Sequence, residues 1–336
     1  MDDGGRTHHR VKPARAAVAS VAWVALFAFF GALDAPDAEA AKAKTSKKKK
    51  ASTEDTAIAG KTPKPKTKAS PVPTPAPTPV DVTQLTSELP IVAQGAVVLD
   101  QFTGEIIFAK NPDQPFFPAS TTKILTALLI IEAGNLDQEI IVGDEEPKVG
   151  ESSLELKPGD HFTRRQALYG LMLKSANDVA HALARDNAGS IEAFAEKMNL
   201  RARELGATNS HFMNPHGLHN PQHYTTPHDL ALIARAAMQQ PFFREVVSTQ
   251  THPWQGTWGL QMLTNHNRLL RMFPGCNGVK TGYTYPAQQV LVSSALWGTR
   301  EVISVVMHTD KPGIWEDSKL LLAYGFAHLP ELAFQE

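Results

Sequence analysis

Thiol chemistry is nearly absent from this chain: Cys276 is the only cysteine in 336 residues. An intrachain disulfide is therefore excluded, and so is a zinc site built on cysteines. H-E-x-x-H, the pattern that puts two histidines on one helical face around a metal, does not occur either. The pair with that separation, His219 and His223, brackets Pro221 and reads as two surface-loop histidines. An excess of one charge is missing too. The formal net charge is -1, so overall electrostatics give no support to nucleic acid as a partner. Cys276 itself lies shortly before Lys280 and reads as a small loop residue without a role, with reactivity beside a cation as the alternative.

What is present falls into unlike segments. Arg6, Arg10, Lys12 and Arg15 precede an apolar run from Ala16 to Leu33, and Ala38-Glu39-Ala40 follows. A basic start, an apolar stretch and small residues at a cleavage point describe a secretory signal peptide over 1–40. The alternative is an uncleaved N-terminal anchor, since the run approaches spanning length. Either way the remainder is expected outside the cytoplasm. Residues 41–85 are a Lys/Thr/Pro tract, with Lys47 to Lys50 at one end and alternating prolines from Pro71 to Pro79 at the other. Such a composition cannot bury a core, so a disordered, partly polyproline linker is expected. Its lysines could make weak contact with an anionic wall or membrane surface.

The globular part, 86–330, opens with two short apolar runs, Gly95 to Asp100 and Glu105 to Ala109, around a turn at Gln101-Phe102-Thr103-Gly104, which predicts a β-hairpin. Pro112 to Pro118 is a loop, and a helix then starts at Ser120 and stops at Gly134-Asn135. Short strands and turns fill 136–162. Helices are predicted over Arg164–Leu173, Asp178–Ala188 and Ile191–Leu205, then from Thr226-Pro227 through Ala237. Gly278–Thr284, Gln289–Ala295 and Glu301–Met307 read as three antiparallel strands, and Ile314–Phe326 as a closing helix before a short tail, 331–336. Strands, a helical block, then strands and a helix make an α/β (α+β) fold: an antiparallel sheet flanked by helices, with an inserted all-helical lobe.

Three short motifs carry the chemistry. In Ser120-Thr121-Thr122-Lys123, residues three apart share a helix face, so the lysine amine can reach the serine hydroxyl. A serine hydroxyl is a poor nucleophile until a base removes its proton, and a lysine serves as that base once its pKa is lowered by burial or a neighbouring cation. Ser175-Ala176-Asn177 and Lys280-Thr281-Gly282 follow in that order. Alone, the first reads as a helix cap, the second as an interhelix cap and the third as a surface strand. Together, at a helix start, in an interhelix loop and on a strand, they form one constellation.

On these motifs the chain resembles the serine D-alanyl-D-alanine carboxypeptidases, the low-molecular-mass penicillin-binding proteins, from about Leu89 to Phe326. Asn214-Pro215-His216-Gly217-Leu218, Asp229 to Ile233, Asn265 to Leu270 and Ser318 to Phe326 are similar to that family's stretches as well. The resemblance implies a β-lactamase/D,D-peptidase-like fold and an acyl-enzyme on Ser120, with Lys123 as base, Ser175 as proton relay and Asn177 orienting Lys123 and the peptide. It also implies that Lys280 and Thr281 bind the substrate's carboxyl region while the Lys280 charge keeps Lys123 neutral. Gly282 would let substrate lie against the strand edge, and the backbone N–H groups of Ser120 and Tyr283 would form the oxyanion hole. The implied partners are peptidoglycan peptides and β-lactam antibiotics, on the periplasmic or cell-wall side, with no metal or organic cofactor. Three departures stand out: Ile314 replaces an arginine associated with the substrate's terminal carboxylate, His228 replaces another arginine, and Ala287-Gln288 stands where Ala-Gly is usual. Without that carboxylate partner, a D,D-endopeptidase acting on internal cross-links becomes an alternative. A β-lactamase is less favoured because no Glu-x-x-x-Asn lies between Asn177 and Lys280. A non-enzymatic wall-binding module is the third reading.

Overall fold

The structure, a computed structural model, describes residues 89–329. The signal peptide, the linker and the tail expected from sequence lie outside the described residues. Strand β1 (Gly95–Asp100) and β2 (Ile106–Lys110) form the first hairpin. A 3-10 turn, Ala119–Thr122, leads into α1 (Lys123–Ala133). Two small strands, β3 (Glu139–Ile141) and β4 (His161–Thr163), pair with each other across a long connection. Helix α2 (Arg164–Tyr169) runs into a π-helical turn, Gly170–Lys174, and α3 (Asn177–Ala188) and α4 (Ile191–Glu204) follow. Next come α5 (Pro227–Met238), α6 (Pro241–Ser248) and a second hairpin, β5 (Thr251–Gly256) with β6 (Gly259–Thr264). The chain closes with the one-turn α7 (Leu269–Met272), strands β7 (Cys276–Thr284), β8 (Gln288–Trp297) and β9 (Arg300–Thr309), and α8 (Gly313–His328).

The main sheet has the order β2-β1-β9-β8-β7, and every pairing in it is antiparallel. Its middle strands are buried on both faces. Along β1, Ala96 and Val98 belong to one apolar cluster with Ile314, Leu321 and Leu322 of α8, while Val97 and Leu99 belong to another with α1 and α5. A strand's side chains alternate between faces, so β1 serves two cores at once. That explains its unbroken apolar sequence, which is unusual for an antiparallel sheet with one wet face. The helical lobe, with α3 and α4, joins the α1 side of the sheet. Strand β7 is an edge, and the site forms there.

The predicted hairpin, the three late strands and the predicted helices are present. Arg164–Leu173 was expected as one α-helix. It changes hydrogen-bond pattern at Gly170, and Ser175 ends the π-helical turn in left-handed backbone, φ 65°. Helix α6, the β5–β6 hairpin and α7 had no counterpart in the sequence reading.

Candidate active site

The Ser120 turn is held from both sides. Ala119 enters it with φ 48°, a left-handed conformation rare for a residue with a Cβ. Thr121 Oγ1 donates to Pro118 O at 2.7 Å. Thr122 Oγ1 meets His223 Nε2 at 2.8 Å, and the Met213 amide donates to His223 Nδ1 at 3.1 Å. Since Nδ1 accepts, Nε2 carries the hydrogen and donates to Thr122. Burial, with nearby His211 and Lys123 adding to it, pushes the His223 pKa down to about 3. The expectation of two surface histidines is thus corrected for His223, which is buried and props the Ser120 turn. His219 is exposed, and among the described residues no group of histidine, cysteine and carboxylates is arranged for a metal.

A 3-10 turn has three residues per turn, so Lys123 stacks directly over Ser120. Lys123 is completely buried. Its Nζ lies 3.0 Å from Ser120 Oγ, 2.7 Å from Asn177 Oδ1 and 2.6 Å from the His216 carbonyl. Two of these three partners can only accept. Asn177 Nδ2 donates to Gly150 O at 2.9 Å, which fixes the amide with its oxygen toward Lys123. A neutral amine has two hydrogens and one lone pair. In that neutral form the hydrogens would go to Asn177 and His216, leaving the lone pair toward the Ser120 hydroxyl. Burial is the main force lowering the Lys123 pKa well below the ordinary lysine range, the Lys280 charge adds to it, and Glu151 and Asp178 oppose.

His216 reaches Lys123 because its loop runs close beneath the Ser120 turn. Gly217 sits at φ 85°, and a Cβ there would collide with the Ala119 carbonyl. Thr126 Oγ1 donates to Pro215 O at 2.6 Å, and the Gly217 amide donates to Asn214 Oδ1 at 2.7 Å. Asn214 to Gly217 is therefore a clamp. Burial first, then the nearby Lys123, pushes the His216 pKa well down.

Asn177 is positioned by the loop facing it. Its amide donates to Ser152 O at 2.7 Å. Fully buried Asp178 accepts from the amides of Leu154 and Leu156, at 3.0 and 3.2 Å to Oδ2, and from Ser153 Oγ at 2.7 Å. Asp178, Ser152, Gly150, His216, Gly217 and His223 were not identified from sequence as parts of the site. Asp178 adjoins Ser175-Ala176-Asn177, and His216 and Gly217 fall within Asn214 to Leu218; Gly150, Ser152 and His223 carried no sequence signal.

Strand β7 forms the other wall. Lys280 is buried, its Nζ donates to Thr281 O at 2.9 Å, and burial lowers its pKa to about 7. Lys280 is not among the residues that line the cavity, and its charge acts on Lys123 electrostatically. A Cβ on Gly282 would lie 3.0 Å from both Pro118 O and Ser120 N. Its bare Cα thus admits the Ser120 turn, a packing reason beyond the one expected from sequence. Ser120, Ser175, Asn177, Thr281, Gly282 and Tyr283 all line one cavity of about 490 Å³. Cys276 lies apart from it. Burial raises its thiol pKa to about 11, so it holds no thiolate for reaction.

The sequence model of the family described as peptidase S11, D-alanyl-D-alanine carboxypeptidase, matches residues 82–311. The chain belongs to this family. It is 36% identical over 233 residues to the D-alanyl-D-alanine carboxypeptidase DacF of Bacillus subtilis, covering 68% of this chain and 60% of that one. A D-alanyl-D-alanine carboxypeptidase of Mycobacterium tuberculosis is 33% identical over 245 residues, covering 71% of this chain and 84% of its own length. The crystal structure of the Streptomyces K15 DD-transpeptidase superposes with a TM-score of 0.68 at 34% identity, over 72% of this chain and all of that one. The fold expected from the resemblance is thus the fold observed.

The three departures now have places. Ile314 is buried and lines the cavity. His228 Nδ1 lies 3.6 Å from Asp113 Oδ1, outside the cavity lining. Gln288 adopts φ 56°, the left-handed region that a glycine takes without strain.

Proposed function

We propose that this chain is a penicillin-sensitive serine D,D-peptidase that cleaves the D-Ala-D-Ala bond of peptidoglycan stem peptides, acting as a carboxypeptidase in cell-wall remodelling. The observation that carries this is the buried Lys123 amine, whose Nζ lies 2.7 Å from Asn177 Oδ1, 2.6 Å from the His216 carbonyl and 3.0 Å from Ser120 Oγ. Ser120 Oγ attacks the carbonyl of the penultimate D-alanine and its proton passes to Lys123 Nζ. The oxyanion is held by the N–H groups of Ser120 and Tyr283; losing one such donor typically costs about 3 kcal/mol in barrier. Collapse breaks the C–N bond, and the leaving amine takes a proton through Ser175. Water then attacks the ester, with Lys123 again accepting the proton, and frees Ser120.

The printed names of the relatives favour terminal cleavage, whereas Ile314 keeps the D,D-endopeptidase reading alongside it. Mass spectrometry of digested muropeptides separates them: loss of one terminal alanine supports the carboxypeptidase, and splitting of cross-linked dimers supports the endopeptidase. The acylation step is tested with labelled penicillin. Wild type should carry one adduct on Ser120, and Ser120→Ala none; labelling of the variant to the wild-type extent would sink the proposal. An exported site of action rests on the basic, apolar and small-residue pattern of residues 1–40.

A further inference from the structure

Two arginines stand in the wall of the catalytic cavity with no acid attached to them. Arg268 and Arg271 bracket the start of α7 three residues apart, and both line the cavity into which Ser120 opens. Both are exposed. Among the described residues neither makes an ion pair or a side-chain hydrogen bond within the protein. Glu151, the one carboxylate among the lining residues, pairs with neither of them. The guanidinium of Arg268 lies 5.6 Å over the Trp315 ring. Trp315 and its neighbour Ile314 line the same cavity, so α8 presents an apolar surface there and no cation.

A solvated arginine on a protein surface is ordinary. These two differ in facing a cavity that holds an acylating serine, and one of them is stacked on an indole. Stacking removes much of the rotamer freedom that an arginine would otherwise lose on binding. Two planar forks separated by one helical turn match the geometry of a carboxylate, which accepts parallel N–H bonds from guanidinium groups.

We infer that Arg268 and Arg271 are the carboxylate-gripping residues of this chain, supplied from α7, and that they hold a carboxylate of the peptide that acylates Ser120. The inference rests on the D,D-peptidase reading above. The carboxylate has two sources in such a peptide: the C-terminal D-alanine, or an acidic stem residue before the scissile bond. The recognition chemistry is the same for both.

Two synthetic peptides test it. Both end in a free D-Ala-D-Ala; one has a neutral third residue from the end and the other a third residue bearing a carboxylate. For the R268A/R271A variant, KM should rise about tenfold, the usual effect of removing a charged hydrogen bond, with kcat within about twofold of wild type. If the terminal carboxylate is gripped, both peptides weaken. If the stem carboxylate is gripped, only the acidic peptide does. R268K/R271K, which keeps the charge but loses the forks, should recover part of the KM; a purely structural role would not give this recovery. Equal KM values for wild type and R268A/R271A on both peptides would overturn the inference while leaving the D,D-peptidase reading intact. Failure of wild type to cleave either peptide would overturn that reading, and the inference with it.

Discussion

At the floor of the cleft, Lys123 has no exposed surface and three hydrogen-bond partners; at its rim, Arg268 and Arg271 are exposed and have none among the described side chains. The contrast runs through the whole cavity. Floor groups hold one another: His223 props Thr122, Asn177 and His216 saturate Lys123, and Gly282 admits the Ser120 turn. Rim groups, such as Tyr283 and the two arginines, are exposed. Chemistry at fixed geometry needs the first kind of construction, since positioning must be established before substrate arrives. Recognition tolerates the second, because the ligand completes the contacts.

Breaking the floor should therefore have large effects. Lys123→Met removes the base and leaves two buried acceptors without donors; acylation of Ser120 by penicillin should slow by about a thousandfold, measured by the rate of adduct formation. A loss of only a few-fold would move the base elsewhere. Gly282→Ala comes next. Its Cβ would sit 3.0 Å from Pro118 O and Ser120 N, both backbone atoms. The turn must shift, and a displacement near the chemistry of up to an ångström costs about a hundredfold. The same assay reads it, and an unchanged rate would show that the turn gives way freely.

The smallest effect is one of pH, and it concerns Lys280. Burial brings the Lys280 pKa down to about 7, so its amine is charged below that pH and neutral above it. Lys123 is also held well below the ordinary lysine range, by burial first and then by the Lys280 charge. If catalysis needs the Lys280 charge, the acylation rate should fall about tenfold by one unit above that pKa. Lys280→Arg, which stays charged, should flatten that limb; an alkaline fall of equal size in Lys280→Arg would assign it to another group.

The legible parts of the site share one property. Ser120 and Lys123, Ser175 and Asn177, and Lys280 to Gly282 are each contiguous, so residue type and spacing reveal them. Asp178, His216 and His223 act through folded contacts between distant segments, and no local pattern marks a buried histidine against an exposed one. The fold divides in the same way. Strands β1, β8 and β9 announce themselves as apolar runs because they are largely buried. The β5–β6 hairpin does not: Leu260 and Met262 are exposed, Leu263 is buried, and Thr257-Trp258 is a poor hairpin turn by composition. The π-helical turn before Ser175 is hidden too, since its apolar residues continue the α-helical pattern while its hydrogen bonds do not.

The order of the sheet has a consequence for how the protein matures. Strand β1 pairs with β9, and β9 with β8, so the first strand finds its central neighbour only after nearly the whole globular chain exists. Strand β7, with Lys280 and Gly282, is seated through that same late closure. Pairings so remote in sequence are slow to form. An emerging chain thus carries Ser120 and Lys123 long before Lys280 and Gly282 are seated beside them, so completion of the cavity marks the last step of folding.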